Sequence, residues 1–265
     1  MSVVLPSVRV QQALSTAEVA EITELVARAE ETDGVSPLND DARLALHHDG
    51  SATHLRASRD ETLVGYAQLE TGGEQPTAVL VVDPPERRAG IGRTLLEAVQ
   101  TEAGSPVGFW SFRGLPAAAA LARSVGLVAV RELLVMTADV TEPVSVPTLP
   151  EGVTIRPFEV GVDEEEWLAL NARAFVHHPE QGRMTLDDLQ EREAEDWFDP
   201  QGFLLAVRGG KVIGYHWTKQ HPGRLGEVYV LGVDPDAGGR GLGKTLLAAG
   251  LQHLRDRGNT TVQLY

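Results

Sequence analysis

Residues 82–98 read VDPPERRAGIGRTLLEA, and residues 233–249 read VDPDAGGRGLGKTLLAA. Val, Asp, Pro, Gly, Gly, Thr, Leu, Leu and Ala recur in register, 151 residues apart from Val82 to Val233. Upstream, LVGYAQLE at 63–70 is echoed by VIGYHWTK at 212–219, 149 residues apart from Leu63 to Val212. A repeat of this length means two copies of one domain, and the copy is the unit in which the fold has to be read. Between the copies lies TADVTEPVSVPTLPEG (137–152), whose Pro143, Pro147 and Pro150 suit an extended linker. The sequence therefore divides into a first domain at 1–140, a linker at 141–152 and a second domain at 153–265.

Each copy runs through the same order of elements. A short strand (8–10 or 153–158) leads into a helix with an acidic entry, where Ser15 and Glu18 have the spacing of a capping box and Asp163 precedes EEEWLALNARAF. A second helical stretch follows, at 185–195 in the second copy. Then come strands near 62–70, or 203–208 with 212–218, a strand ending at Val82 or Val233, and a Gly-rich loop that opens a helix. This is not strict βαβ alternation. It predicts an α+β class, each copy a mixed, mostly antiparallel sheet flanked by helices. In the first copy VGFWS (107–111), a helix at 116–124 and GLVAVRELLVM (126–136) come next. The second copy stops at Tyr265 within TTVQLY, the counterpart of VGFWS, so the second domain reads as truncated, with an open sheet edge.

The formal charge of −15 argues against a nucleic-acid partner, which needs a basic face. No run of 18 apolar residues is present, and MSVVLPSVRV lacks the basic start and apolar core of a secretory signal. A cytoplasmic monomer without a membrane partner is expected. The absence of cysteine excludes disulfides, thiolate zinc sites and a cysteine-bound intermediate, leaving direct group transfer or another nucleophile. His177 and His178 are adjacent, but without H-E-x-x-H spacing or matching cysteines no metal is expected.

GGRGLGKT (238–245) satisfies the nucleotide-triphosphatase pattern G-x-x-x-x-G-K-[ST]. That loop ordinarily follows the first strand of a large domain, with a later acidic strand for magnesium. Here only twenty residues follow Thr245, and the copy RRAGIGRT (87–94) lacks both the first Gly and the Lys. What the copies share is G-x-G followed by Thr-Leu-Leu at a strand–loop–helix junction. Such a junction holds an anion through backbone N–H groups and the helix N-terminus. A ligand-free Gly turn is the alternative, and its occurrence twice in one context weighs against it, because such a loop costs backbone entropy.

Strand, Val-Asp-Pro, Arg87-x-x-Gly90-x-Gly92 and helix together resemble motif A of the GCN5-related N-acetyltransferase superfamily, whose loop holds the coenzyme A pyrophosphate. The second copy departs from that pattern by carrying Gly238 at the leading position. The tandem arrangement, with HHPEQG (177–182), WFDP (197–200), HWTKQHP (216–222) and GEVYVLGVDP (226–235), resembles the mycothiol synthase family of actinobacteria over essentially the whole chain. The resemblance implies transfer of acetyl from acetyl-CoA to the cysteinyl amine of Cys-GlcN-Ins, a thiol-containing sugar–inositol, by the second domain.

It implies Glu227 as general base, acting through water on an ammonium that must lose a proton before attack. An exposed strand carboxylate is the alternative for Glu227. Leu231, Gly232 and Val233 would hold the pantetheine arm and polarise the thioester oxygen. Gly238, Gly239, Arg240, Gly241, Leu242, Gly243 and Lys244 would hold pyrophosphate. In the first copy Leu80, Val81 and Val82, with Arg88, Ala89, Gly90, Ile91, Gly92 and Arg93, match a second acetyl-CoA site. Glu180, Lys219 and Glu227 match contacts to the acceptor substrate, as does Asp40 from the first domain. A solvated strand end is the alternative for Lys219, and a loop turn for Glu180.

The repeat adds a reading of its own. Glu227 falls opposite Pro76 at the 151-residue offset, so the first domain is expected to bind acyl-CoA without catalysing transfer, although Glu74 lies nearby. In the resembled family the region past the counterpart of VGFWS supplies a tyrosine as general acid, and Tyr265 is not at that position. Two other functions stay open: an acetyltransferase for another amine, such as an aminoglycoside or a peptide N-terminus, and a non-catalytic acyl-CoA-binding module.

Overall fold

In the computed structural model, which describes residues 5–48, 50, 52–73, 75–177, 181–237 and 241–265, the chain divides into units Met1–Val130 and Arg131–Tyr265. The first unit runs β1 (Ser7–Gln11), α1 (Thr16–Asp33), α2 (Asp40–Leu44), β2 (Thr53–Arg59), β3 (Thr62–Glu70) and β4 (Thr77–Val82). It continues with α3 (Ile91–Ala103), β5 (Gly108–Phe109) and α4 (Pro116–Ser124). Its sheet has the order β1-β2-β3-β4-β5, antiparallel except for β4 with β5. The capping box forms: Ser15 Oγ accepts from the Glu18 N–H, and the Glu18 carboxylate accepts from the Ser15 N–H. Ile22, Leu25, Val26 and Ala29 then recur at helical spacing on α1 and bury against Tyr66, Val79 and Val81. On the opposite face of the sheet Ile91, Leu95 and Val99 of α3 pack on Leu55, Ala67 and Leu69.

The second unit repeats the plan. It runs β6 (Met136–Asp139), β7 (Val153–Pro157), α5 (Glu164–Ala174), α6 (Leu186–Glu193), β8 (Phe203–Arg208), β9 (Lys211–Gln220), β10 (Leu225–Val233), α7 (Leu242–Asp256) and β11 (Thr261–Leu264). The sheet order is β6-β11-β10-β9-β8-β7, with β10 and β11 the parallel pair. One face is an aromatic core of Trp167, Phe203, Tyr215 and Trp217, and α7 covers the other through Leu242 and Leu246. Both units are therefore α+β with mixed, mostly antiparallel sheets, as the repeat predicts.

Two contacts explain why the repeated letters recur. A Cβ on Gly65 would lie 2.9 Å from Leu95 Cδ1, and one on Gly214 the same distance from Leu246 Cδ1. In each unit the strand glycine lets the helix after the Gly-rich loop lie close on the sheet. The aspartate of Val-Asp-Pro is also held the same way twice. Arg28 of α1 donates to Asp83 at 2.7 Å, and Arg173 of α5 donates to Asp234 at 2.8 Å. The Arg173 hydrogen bond, then one from the Asp236 N–H, keeps the Asp234 carboxyl below the usual carboxylate range.

The second sheet's expected open edge is filled. Met136–Asp139, read from sequence with the first copy, pairs antiparallel with β11 from Met136 opposite Leu264 to Asp139 opposite Thr261. Val140 then buries against Leu254 and Val262, and the Val144 N–H donates to Gln252 Oε1 at 3.1 Å. An unpaired edge presents a row of backbone donors and acceptors, and any nearby extended segment satisfies them. The apolar stretch before it is irregular over residues 128–135, with Val128, Val130, Leu133 and Leu134 exposed.

Candidate active site

The chemistry gathers where β10 leaves β11. A Cβ on Gly226 would meet Leu254 of α7, so Glu227, one residue on, projects from the opposite face of the sheet. Parallel pairing of the two strands runs only from Leu225 with Thr261 to Glu227 with Gln263. β10 continues to Val233, and its register with β9 shifts by one between Val228 and Val230, a bulge that bends the strand. Among the described residues no strand pairs with Val228–Val233 on the β11 side. That leaves a short backbone edge carrying Leu231, Gly232 and Val233, open to a ligand.

Three polar side chains stand in a row across this face. Lys219 of β9 is directly opposite Glu227, and Gln263 of β11 is its partner on the other side. Lys219 and Glu227 are both only 6 % exposed, which overturns the solvated readings of each. A carboxylate buried this far must be hydrogen-bonded. Glu227 Oε2 lies 2.6 Å from His221 Nε2 and accepts from Gln263 Nε2 at 2.9 Å. His221 stands in the turn after β9, where its N–H closes the hairpin on Leu225 O. Oε1 of Glu227 accepts no hydrogen bond among the described residues.

Aromatic rings wall the row. Lys219 Nζ sits 4.3 Å from the centroid of Trp197 and 5.3 Å from that of Tyr229, a cation over two π faces. Arg192 of α6 donates to Tyr229 Oη at 3.1 Å. Behind them Trp217 stacks on Phe203 with centroids 4.5 Å apart.

At the far end of β10 the Gly-rich turn closes with Gly241 in the left-handed region, φ 76°, as the N-cap of α7. The Thr245 N–H reaches back to Gly241 O at 3.1 Å, so the earlier N–H groups of the helix lack an intrahelical partner. Leu242 is a core residue, Gly243 lies beside Val233, and Lys244 is exposed. Gly238, Gly239 and Arg240 lie outside the described residues, as do Glu180 and His178.

The first unit repeats the left-handed glycine N-cap without the carboxylate. β4 parts from β5 after Ala78 opposite Phe109, leaving Leu80, Val81 and Val82 on an open edge. Arg88 has φ 67° and Gly90 φ 87°, with Ala89 between them, and α3 begins at Ile91. Ile91 itself is buried in the core, and Gly92 sits beside Val82 and Leu121. Arg93 Nη2 donates to Ser124 O at 3.2 Å. Arg87, the lead residue of the motif, is committed elsewhere: its guanidinium grips the Asp33 carboxylate at 2.7 and 2.8 Å and Val82 O at 3.1 Å. Where Glu227 would repeat, Pro76 offers only its carbonyl, which accepts from the Gly108 N–H at 2.9 Å. Glu74 is outside the described residues. Asp40 opens α2 after the cap Asn39, and His177 is exposed just past α5. Among the described residues no three His, Cys, Asp or Glu side chains cluster as metal ligands, and no helix is long and apolar enough to cross a membrane.

His221, Gln263, Trp197 and Tyr229 are the site residues that sequence reasoning did not single out. Trp197, His221 and Tyr229 lay within WFDP, HWTKQHP and GEVYVLGVDP, and His221 carried a positional signal too, two places beyond Lys219 and so on its side of the chain.

The Acetyltransferase (GNAT) family matches residues 18–126 and again 165–265. The chain is 47 % identical to a mycothiol acetyltransferase of Thermobispora bispora over 98 % of its own length and 90 % of that protein's. It is 48 % identical to a mycothiol acetyltransferase of Actinosynnema mirum, covering 96 % of this chain and 88 % of the other. A tandem GNAT protein from the clavulanic acid biosynthesis pathway shares the fold, with TM-score 0.67 at 20 % identity over 97 % of this chain and 89 % of that one. A GCN5-related N-acetyltransferase from Sphaerobacter thermophilus does so with TM-score 0.66 at 24 % identity, over 98 % and 87 %.

Proposed function

The chain belongs to the acetyltransferase (GNAT) family and, within it, to the mycothiol acetyltransferases, and from that premise we infer that its second unit acetylates the cysteinyl amine of Cys-GlcN-Ins. The observation that carries this reading is Glu227, a buried carboxylate at the point where β10 opens, with one oxygen held and the other unbonded among the described residues.

The substrate amine arrives as an ammonium and has no lone pair to donate. Glu227, directly or through a water, takes one proton. The neutral nitrogen then attacks the thioester carbonyl of acetyl-CoA, the C–S bond breaks, the nitrogen sheds its second proton as the amide forms, and the coenzyme thiolate takes up a proton and leaves as the thiol. Acetyl-CoA suits the open edge of β10: the backbone of Leu231 to Val233 would pair with the amide-bearing arm and face its developing oxyanion. The α7 N-terminus beyond Gly241 would face the pyrophosphate, and Gly238 to Arg240 would complete that cradle. Lys219, on the same face, would orient the polyhydroxylated part of the acceptor, with Glu180 and Asp40 as further contacts. In the first unit the open edge at Leu80–Val82 and the left-handed turn at Arg88 and Gly90 support acyl-CoA binding. With Pro76 in the place of the base, that unit would bind without transferring. Action in the cytoplasm as a monomer completes the reading.

The test is acetyl-CoA turnover with Cys-GlcN-Ins beside an aminoglycoside and a peptide N-terminus. Glu227→Gln should lower kcat by about 100-fold while acetyl-CoA binding persists, since general base catalysis contributes on the order of 100- to 10,000-fold. Preference for another amine would overturn the substrate assignment, and full activity of Glu227→Gln would overturn the base.

A further inference from the structure

The hydrogen bonds around Glu227 are not symmetric, and the asymmetry has chemical content. Both partners converge on Oε2: His221 Nε2 at 2.6 Å and Gln263 Nε2 at 2.9 Å. Gln263 cannot change its charge between pH 4 and 10, whereas an imidazole titrates in the middle of that range. The His221 side chain is 26 % exposed while that of Glu227 is 8 % exposed, so the imidazole exchanges protons with solvent from behind a base that is closed off.

We propose that His221 is the positioning residue of Glu227 and sets the acid limit of the transfer reaction, a role that rests on the acetyltransferase reading above. In the working state a neutral imidazole donates its Nε2–H to Oε2 and, with Gln263, turns Oε1 towards the amine. When the imidazole gains its second proton, the same contact becomes an ion pair. The ion pair stabilises the ionised carboxylate, so Glu227 becomes a weaker base. It also places a cation beside a site that must receive an ammonium.

The charges facing the pair leave this switch to His221. On β9 the cation opposite Glu227 is Lys219, whose ammonium lies over Trp197 and Tyr229. From α6 Arg192 donates to Tyr229 Oη. Arg224, in the same turn as His221, donates to Gly258 O at 3.1 Å. On β11 the neighbour is the neutral Gln263, and Thr137 of β6 continues the row.

Two variants separate positioning from scaffolding. His221→Gln keeps an N–H donor that cannot titrate; kcat should fall about 3-fold at alkaline pH, while the acid limb of its pH profile moves about one pH unit lower. His221→Leu removes the donor as well; kcat should fall about 10-fold at alkaline pH with KM for acetyl-CoA within about 2-fold, as for a misplaced base, and the acid limb should move as it does in His221→Gln. Thermal unfolding of both variants controls for folding. The NMR resonance of the His221 Nε2–H proton should move upfield in Glu227→Gln relative to the wild type, because a neutral amide oxygen accepts more weakly than a carboxylate.

Pairing is overturned if Glu227→Gln leaves the His221 Nε2–H resonance unmoved. The role in turnover is overturned if both His221 variants keep the wild-type pH profile while Glu227→Gln is inactive. Should no amine be acetylated at all, the functional reading fails by itself. The NMR comparison then still decides whether His221 and Glu227 form a hydrogen-bonded pair.

Discussion

Replacing Gly232 by alanine would set a methyl carbon 2.6 Å from Cε1, 2.8 Å from Cζ and 2.9 Å from Oη of Tyr215. The two residues are directly opposite on β10 and β9, and the ring lies across the glycine. Tyr215 has no room to retreat. It is fully buried, edge-on to Trp167 with centroids 5.3 Å apart, and its hydroxyl donates to Asn171 Oδ1 at 2.6 Å. Relief must come from displacing β10 or from swinging the ring and breaking that hydrogen bond. Overpacking costs about 1–3 kcal/mol, and losing a buried side-chain hydrogen bond adds about 1 kcal/mol. The sum is a loss of about 2–4 kcal/mol, or roughly 8–16 °C in the melting of a unit of this size. Urea unfolding followed by tryptophan emission reads this unit well, because Trp167, Trp197 and Trp217 all belong to it. A Tyr215→Leu background removes the obstacle, and there the added cost of Gly232→Ala should fall below about 1 kcal/mol. A Gly232→Ala protein within about 0.5 kcal/mol of wild type, or one equally destabilised in the Tyr215→Leu background, would refute the steric argument. Acetyl-CoA affinity should drop in the same variant, because the displaced strand is the proposed edge for the donor.

Two further perturbations test the electrostatics. Burial, with the Glu164 charge adding to it, pushes the Glu193 carboxyl up to about 7, and its Oε1 has no hydrogen-bond partner. The folded state thus binds a proton more tightly than the unfolded chain, so stability falls as pH rises from 4.5 towards 7. Glu193→Gln should raise stability at pH 8 by about 1 kcal/mol and change little at pH 4.5; equal effects at both in urea unfolding would count against it. Glu18 behaves oppositely: the Ser15 N–H, helped by Ser15 Oγ, Gln11 and Arg56, lowers its carboxyl to about 2. Its contribution is present above 4.5 and lost as pH falls towards 2, so Glu18→Ala should cost about 1 kcal/mol at pH 7. That difference should vanish near pH 2, and its persistence there in the same assay would contradict the capping account.

The parts of the fold written locally were legible. The capping box of Ser15 and Glu18 follows from a few adjacent residues, and the strand glycines 65 and 214 and the glycine N-caps 90 and 241 were made legible by their repetition. The destination of residues 126–139 was not. Short apolar runs such as LVAV and LLVM do not say which sheet edge the chain joins, and that edge, β11, lies more than a hundred residues on. Glu227 and Lys219 were found through family resemblance, yet their burial and their direct opposition depend on the β9–β10 register. Gln263 had no local mark at all, because only the parallel pairing with β11 brings it beside Glu227.

The edge strand has a further consequence for how this gene can be taken apart. The sequence repeats with one boundary, in the proline-bearing stretch 141–152, but the chain folds with another, after Val130. An expression clone begun at residue 153 would encode every residue of the repeated copy and still omit Met136–Asp139, the outermost strand of that copy's sheet. The unit of duplication and the unit of folding are out of phase, so dissection should follow the second: a fragment that starts near residue 131 carries its own edge.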